Sequence, residues 1–206
     1  MNPTKKEQKK KELTENELLI LGMTFPFEEK GITGKDMEIL IEERDVRRWT
    51  NIGFSSIYYI LDQLERKKLL VSRSDKMGHA KRGAPAKPYF ITDKGKEVLR
   101  KSIKEYLSER LEYKEFMIVL AVSQALNHEE LVPCLIEYRS ILINWLEDQL
   151  RPRYKKVKSE YPGELAIHIW GIFNHSITLL EANIKFLGHL IEMYEQSITK
   201  QLNYFS

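Results

Sequence analysis

The chain has 206 residues, 33 Lys and Arg against 30 Asp and Glu, and a net charge of +3, so no bulk acidic or basic character defines it. That length holds one large domain or two small ones with real apolar cores. The single Cys134 excludes an intramolecular disulfide and any cysteine-based zinc cluster, and no apolar run reaches the length of a transmembrane span.

Residues 1–12 form a polar, lysine-rich arm expected to be mobile. Lys5, Lys6, Lys9, Lys10 and Lys11 lead into no uninterrupted apolar core, so no signal peptide is expected and the chain reads as cytoplasmic. Thr14 and Glu17 then carry capping-box spacing ahead of the apolar run Leu18 to Leu21, and predict a first helix. Gly31 breaks the pattern. Thr33 and Asp36 repeat the cap signal for a second helix, whose buried face is Met37, Leu40 and Ile41. Asn51 to Gly53 supply a turn, and a third helix is predicted from about Phe54 to Lys68. Its apolar stripe is Ile57, Ile60 or Leu61, and Leu64, which leaves Ser56, Tyr59, Gln63 and Arg66 on the opposite side.

Leu69 to Arg73 and Lys87 to Thr92 read as short strands around a loop from Gly78 to Gly83. Thr92 and Asp93 cap another helix, with Val98, Leu99 and Ile103 in the core. The order is helix, helix, helix, strand, strand, helix. A helix that enters a groove, backed by a basic β-hairpin, is how a winged helix-turn-helix meets duplex DNA. Charge supports this: residues 66–104 hold 13 Lys and Arg against 3 Asp and Glu, whereas residues 106–206 hold 10 against 13. A solvated charged face is the plainer account of such a run.

The second half differs in kind. Asn127 and Glu130 cap a helix with apolar positions at Leu131, Leu135, Tyr138, Leu142 and Trp145. Cys134 sits in this apolar context as a buried structural thiol. After Pro152 and the Tyr161-Pro162-Gly163 turn, a longer helix follows. Its apolar positions, from Ala166 through Trp170, Phe173, Ile177, Leu180, Ile184, Leu187, Ile191 and Tyr194 to Ile198, alternate by four and three. That spacing is a coiled-coil-like seam. Ile169, Ile172, Leu179 and Leu190 widen it, so the face is expected to serve both an internal core and a second subunit, with an ordinary bundle as the alternative. His168, His175 and His189 recur on this helix. Seven residues span about 10.5 Å, too far to share one ion, so they flank an interhelical interface rather than bind metal.

The candidate DNA contacts are Ser55, Ser56, Tyr58, Tyr59, Gln63 and Arg66 on the third helix, and Lys81, Arg82 and Lys87 in the wing. Hydroxyls and helix N-terminal amides suit phosphates, and glutamine can pair with adenine through two bonds. Core packing is the competing account of Tyr58 and Tyr59, with a mixed role for Tyr58, its ring packed and its hydroxyl on a phosphate. No HExxH, Gly-x-Ser-x-Gly, phosphate-cradling glycine loop or cofactor motif is present, so the expectation is neither an enzyme nor a cofactor protein.

At these residues the chain resembles the PadR family of winged-helix transcriptional regulators. The matching segments are ELLILG at 17–22, Gly34 through Ile41, Trp49, SSIYYILDQLE at 55–65, LLVSR at 69–73 and GAPAKPYFITDKG at 83–95. The last holds the Tyr89, Thr92 and Gly95 of a tyrosine-threonine-glycine signature. Tyr59 stands where a proline often follows the tyrosine, and residues 25–32 lack a histidine-glycine-tyrosine pattern. The resemblance implies a homodimeric repressor on a palindromic operator, released by a small apolar or aromatic effector. Trp145, Trp170 and Phe173 are the candidate pocket, with plain core packing as the competing account. The expected architecture is mainly α with a small β-hairpin: a winged helix-turn-helix over 13–105 and a helical dimerisation domain over 106–206. A winged-helix protein-interaction module without sequence-specific DNA binding is the alternative.

Overall fold

The structure is a computed structural model that describes residues 11–73, 87–161 and 163–204, with side chains described as far as 197. The chain divides into two compact units, residues 1–106 with 111–125, and residues 107–110 with 126–206. The arm before residue 11, Lys81, Arg82 and the rest of the predicted basic loop, Pro162, and the side chain of Ile198 lie outside the described residues.

In the first unit, helix α1 (Glu15–Thr24) begins at the expected capping box: the Glu17 amide donates to Thr14 Oγ1, and the Thr14 amide donates to the Glu17 carboxylate at 3.0 Å. The two bonds satisfy orphan donors of the first turn reciprocally. After a two-residue strand β1 (Ile32–Thr33), helix α2 (Gly34–Glu43) starts at Thr33, whose hydroxyl accepts from the Asp36 amide at 3.1 Å. It buries Met37 and Ile41. Helix α3 (Phe54–Arg66) buries Ile57, Ile60, Leu61 and Leu64, one stripe at helical spacing. Lys67 ends it, and Lys68 turns the chain with a left-handed φ of 62°.

Strands β2 (Leu70–Ser72) and β3 (Pro88–Ile91) pair antiparallel, with Leu70 opposite Ile91 and Ser72 opposite Tyr89. Strand β1 adds to the other edge of β3, Ile32 opposite Tyr89, which gives the order β1-β3-β2. Helix α4 (Asp93–Leu107) then starts on Thr92, whose Oγ1 accepts from the Gly95 amide at 2.9 Å while its hydroxyl donates to the Lys68 carbonyl. A Cβ on Gly95 would stand 2.2 Å from the Leu69 carbonyl oxygen, so only glycine lets α4 start this close to β2. Helix α5 (Tyr113–Val122) packs on α1, where a Cβ at Gly22 would meet Val122 Cγ1 at 2.3 Å. With α3 and α5 against it, α1 is buried nearly all round.

The expected order of three helices, two strands and a helix is observed, and the unit is a winged helix-turn-helix. It differs from expectation in two ways. Strand β1 was not expected, because two residues carry no readable alternation. Helix α5 lies beyond residue 105 yet packs in the first unit, since its Phe116, Ile118, Val119 and Val122 are buried there.

In the second unit, helix α6 (His128–Asn144) is capped by Asn127, whose side chain accepts from the Glu130 amide at 2.8 Å. A six-residue π-helical turn (Trp145–Leu150) joins it to α7 (Arg151–Glu160), and α8 (Ile167–Tyr204) follows. Pro152 does not end the helical path, as its place in the sequence suggested. The π turn widens the ladder just ahead of the proline, which has no N–H to give. Helices α6 and α8 pack together: Arg139 Nε donates to the Ile184 carbonyl at 3.1 Å, and Leu187 and Ile191 are buried. Arg151 of α7 reaches the Glu181 carboxylate of α8 at 2.6 Å, and Tyr154 stacks on Phe173. Cys134 is half-buried, with its thiol donating to the Glu130 carbonyl.

Candidate nucleic-acid interface

Burying Ile57, Ile60, Leu61 and Leu64 fixes what α3 shows outwards. Phe54, Ser55, Tyr58, Tyr59, Asp62 and Arg66 are exposed, while Ser56 and Gln63 are half-buried. Tyr59 is the most open of the aromatic side chains here, 65% exposed. Gly53, the residue ahead of α3, offers no side chain to the first-turn amides. Those amides and the hydroxyls of Ser55 and Ser56 thus lie at one end of the helix, a donor-rich end suited to an anion.

Tyr58 is partly packed. Its ring lies over the start of α2, where a Cβ on Gly34 would stand 2.4 Å from the ring, and it tilts against Phe54 at 5.4 Å. Its outer edge remains exposed. Phe54 was not singled out from the sequence; only its place one residue after Gly53, ahead of the polar pair, signals it.

The basic residues near α3 are less free than their number suggests. Lys67 is held by the buried Glu17 at 2.6 Å, and Lys94 donates to the Lys67 carbonyl. Lys87 donates to Glu65 Oε2 at 2.6 Å, lies 4.0 Å from Asp62, and sits over the Tyr89 ring. The hydrogen bond to Glu65 and the neighbouring negative charge hold the Lys87 ammonium above its ordinary range, despite some burial. Burial pushes the Glu65 carboxyl up, but bonds from Lys87 and Ser72 outweigh it and leave it below the usual value. Burial and the adjacent Asp62 carboxylate raise the Tyr89 phenol. Asp62 and Glu65, which hold Tyr89 and Lys87 here, do not stand out in the sequence. Their only sequence signal is a pair of acids on the flank of the otherwise uncharged middle of α3.

In the second unit, the expected seam splits into two faces. Ile177, Leu180 and Ile184 are half-buried, and Leu187 and Ile191 are buried, so this line turns towards α6. Trp170 is exposed and Phe173 is taken up by the Tyr154 ring. A second line, Ile172, Leu179, Phe186 and Met193, recurs every seven residues and is 46–67% exposed. Trp145 is exposed, with the Arg110 guanidinium over its ring at 4.7 Å. The three aromatics of the candidate pocket thus have different immediate neighbours. His168, His175 and His189 are exposed. Among the described residues no group of three metal-ligating side chains gathers, and no helix is long and apolar enough to cross a membrane.

No family model and no curated protein matches the chain. Solved structures of PadR and PadR-like proteins are among those it is similar to. Bacillus subtilis PadR in complex with operator DNA is 18% identical, with 87% of this chain and 98% of that one covered and a TM-score of 0.37. The PadR-like transcriptional regulator BC1756 from Bacillus cereus is 21% identical, over 88% and 98%, with a TM-score of 0.36. Bacillus subtilis PadR in complex with p-coumaric acid is 17% identical, over 88% and 99%, at 0.36.

Proposed function

We propose that the chain is a sequence-specific DNA-binding transcriptional regulator, a PadR-like repressor that binds a palindromic operator as a homodimer and is released by a small effector. It does so in the cytoplasm and without catalysis. The observation that carries this reading is the outer face of α3. Serine hydroxyls and first-turn amides lie at one end of it, Tyr58 and Tyr59 along it, and Gln63 and Arg66 further on, with the β2–β3 hairpin beside it. Hydroxyls, amides and cations position a protein on phosphates, while glutamine and arginine read base edges. Lys81 and Arg82 add the backbone charge expected of a wing.

The homodimer is supported by the exposed line on α8. A two-fold interface needs a patch complementary to itself. The apolar residues of this line are spaced evenly about the bond between Ala182 and Asn183: Leu179 and Phe186, then Ile172 and Met193, with His175 and His189 beside them. A two-fold pair of α3 helices would then engage half-sites about 34 Å apart. For release, the exposed rings of Trp145 and Trp170 offer aromatic surface to a flat apolar ligand, while Phe173 is stacked on Tyr154.

The test is a titration of the full chain against labelled duplexes from the region upstream of its own gene, repeated across salt. One fragment should bind at least a hundredfold tighter than scrambled duplex, with log affinity falling steeply with log salt. Equal affinity for every duplex, or none at low salt, overturns the regulator.

A further inference from the structure

Two acids, Asp62 and Glu65, stand on the helix proposed to face DNA, where their charge opposes the approach of a polyanion. Their partners show what they do instead. Glu65 Oε1 accepts from the Ser72 amide at 3.2 Å and from the Ser72 hydroxyl at 2.5 Å, and Oε2 accepts from Lys87 Nζ at 2.6 Å. One turn earlier, Asp62 Oδ1 accepts from the Tyr89 hydroxyl at 3.1 Å. Ser72 ends β2, Lys87 immediately precedes β3, and Tyr89 pairs with Ser72 across the ladder. A single carboxylate therefore grips both strands at the end of the hairpin, next to residues 74–86, and joins them to α3.

Resting on the DNA-binding reading, we propose that Glu65 is a positioning residue: it sets the hairpin against the recognition helix and keeps Lys87 as its own partner rather than as a phosphate contact. Lys87 thus leaves the group of DNA contacts expected from sequence, and the wing's contribution falls to Lys81 and Arg82. The geometry supports this division. Lys87 has Glu65 at hydrogen-bond distance, Asp62 at 4.0 Å and the Tyr89 ring beneath it, so releasing it to a phosphate would break a charge-assisted bond and leave Glu65 facing the DNA uncompensated. Ser72 alone does not neutralise that carboxylate.

The experiment uses the full chain with Glu65→Gln, Lys87→Met and the double variant, each titrated against the preferred duplex across salt. Removing a negative charge should tighten binding if charge alone matters. Positioning predicts the reverse: Glu65→Gln weakens binding by about three- to tenfold. Lys87→Met should weaken it similarly with an unchanged salt slope, and the double variant should be no weaker than the worse single one, because both remove one clamp. Wild-type or tighter binding by Glu65→Gln overturns the proposal, as does a salt slope flattened by about 0.9 per wing in Lys87→Met. Amide hydrogen exchange of the free chain gives a reading without DNA. Both single variants should exchange faster over 70–73 and 89–91 while the α1 amides stay as protected as in the wild type, and unchanged hairpin exchange overturns the clamp. A wild-type chain that binds no duplex but shows the exchange difference would sink the regulator reading and leave the clamp standing.

Discussion

Lys67 Nζ lies 2.6 Å from Glu17 Oε1 and ties the C-terminal end of α3 to the first turn of α1. The same carboxylate accepts from the Thr14 amide and hydroxyl through Oε2, so Glu17 closes a helix cap and anchors α3 at once. Burial alone would raise its pKa. The Lys67 bond and charge, together with the Thr14 bonds, prevail and hold it below the ordinary glutamate value.

A carboxyl depressed on folding stabilises the folded state above its unfolded pKa, and that contribution disappears as pH falls through the lower folded value. Glu17→Gln keeps a cap-competent side chain and deletes the charge. It should lower stability by roughly 1 kcal/mol at neutral pH, since Lys67 is partly exposed and screened. The gap between variant and wild type should close as pH drops below about 4. Thermal unfolding from pH 3 to 7 reads this. A gap that is constant across that range would show that the lost charge is not the cause.

Base reading by α3 has a separate test. Gln63 lies on the outer flank of α3, half-buried, three residues before the exposed Arg66. Gln63→Ala should cost about 1–3 kcal/mol at one operator position and leave the other positions alone. Competition with single-base operator variants measures it, and unaltered discrimination at every position would make Gln63 a structural residue.

Gly95 tests the fit between the wing and the helix that follows it. Its missing Cβ would lie 2.2 Å from a backbone oxygen, at Leu69, and backbone cannot rotate away as a side chain can. Gly95→Ala should therefore destabilise the first unit by about 1–3 kcal/mol. It should also weaken DNA binding, because Leu69 precedes β2 and Thr92, which caps α4, bonds to the same carbonyl. A variant with the wild-type melting temperature would contradict this close approach.

How much of this was legible in the sequence depends on how local each cause is. Thr14, Thr33 and Asn127 cap helices through bonds to residues three positions on, so short windows reveal them. The outward face of α3 follows from its own spacing. Strand β1 exists only because residues 88–89 come back to it, and no local window contains that. Helix α5 was missed because its run from Phe116 to Val122 is apolar without a clear period, and because its cap is Glu112 rather than a serine or threonine. Glu65 looked like one more surface acid, since its partners at 72 and 87 meet only after the hairpin forms. On α8 the heptad was legible but its division was not: periodicity marks apolar positions, while α6 decides which of them it covers.

That division makes the final prediction specific. Leu187 is 0% exposed inside the second unit, whereas Leu179 and Phe186 are roughly half exposed at 52% and 46%. A charge at Leu187 would be buried without a partner, at a cost of several kcal/mol, so Leu187→Glu should unfold the second unit. Leu179→Glu and Phe186→Glu place a charge on a surface the single chain leaves to solvent, so each should fold. If that surface is the dimer seam, both give folded monomers, and operator affinity falls sharply because a second reading head is no longer held at high effective concentration. Sedimentation with circular dichroism separates the three variants. A folded dimer from both Leu179→Glu and Phe186→Glu would move the interface off this line, and a folded Leu187→Glu protein would mean that α6 and α8 do not pack through Leu187. With the seam on this line, the same helix loses its fold when charged on one face and only its partner when charged on the other.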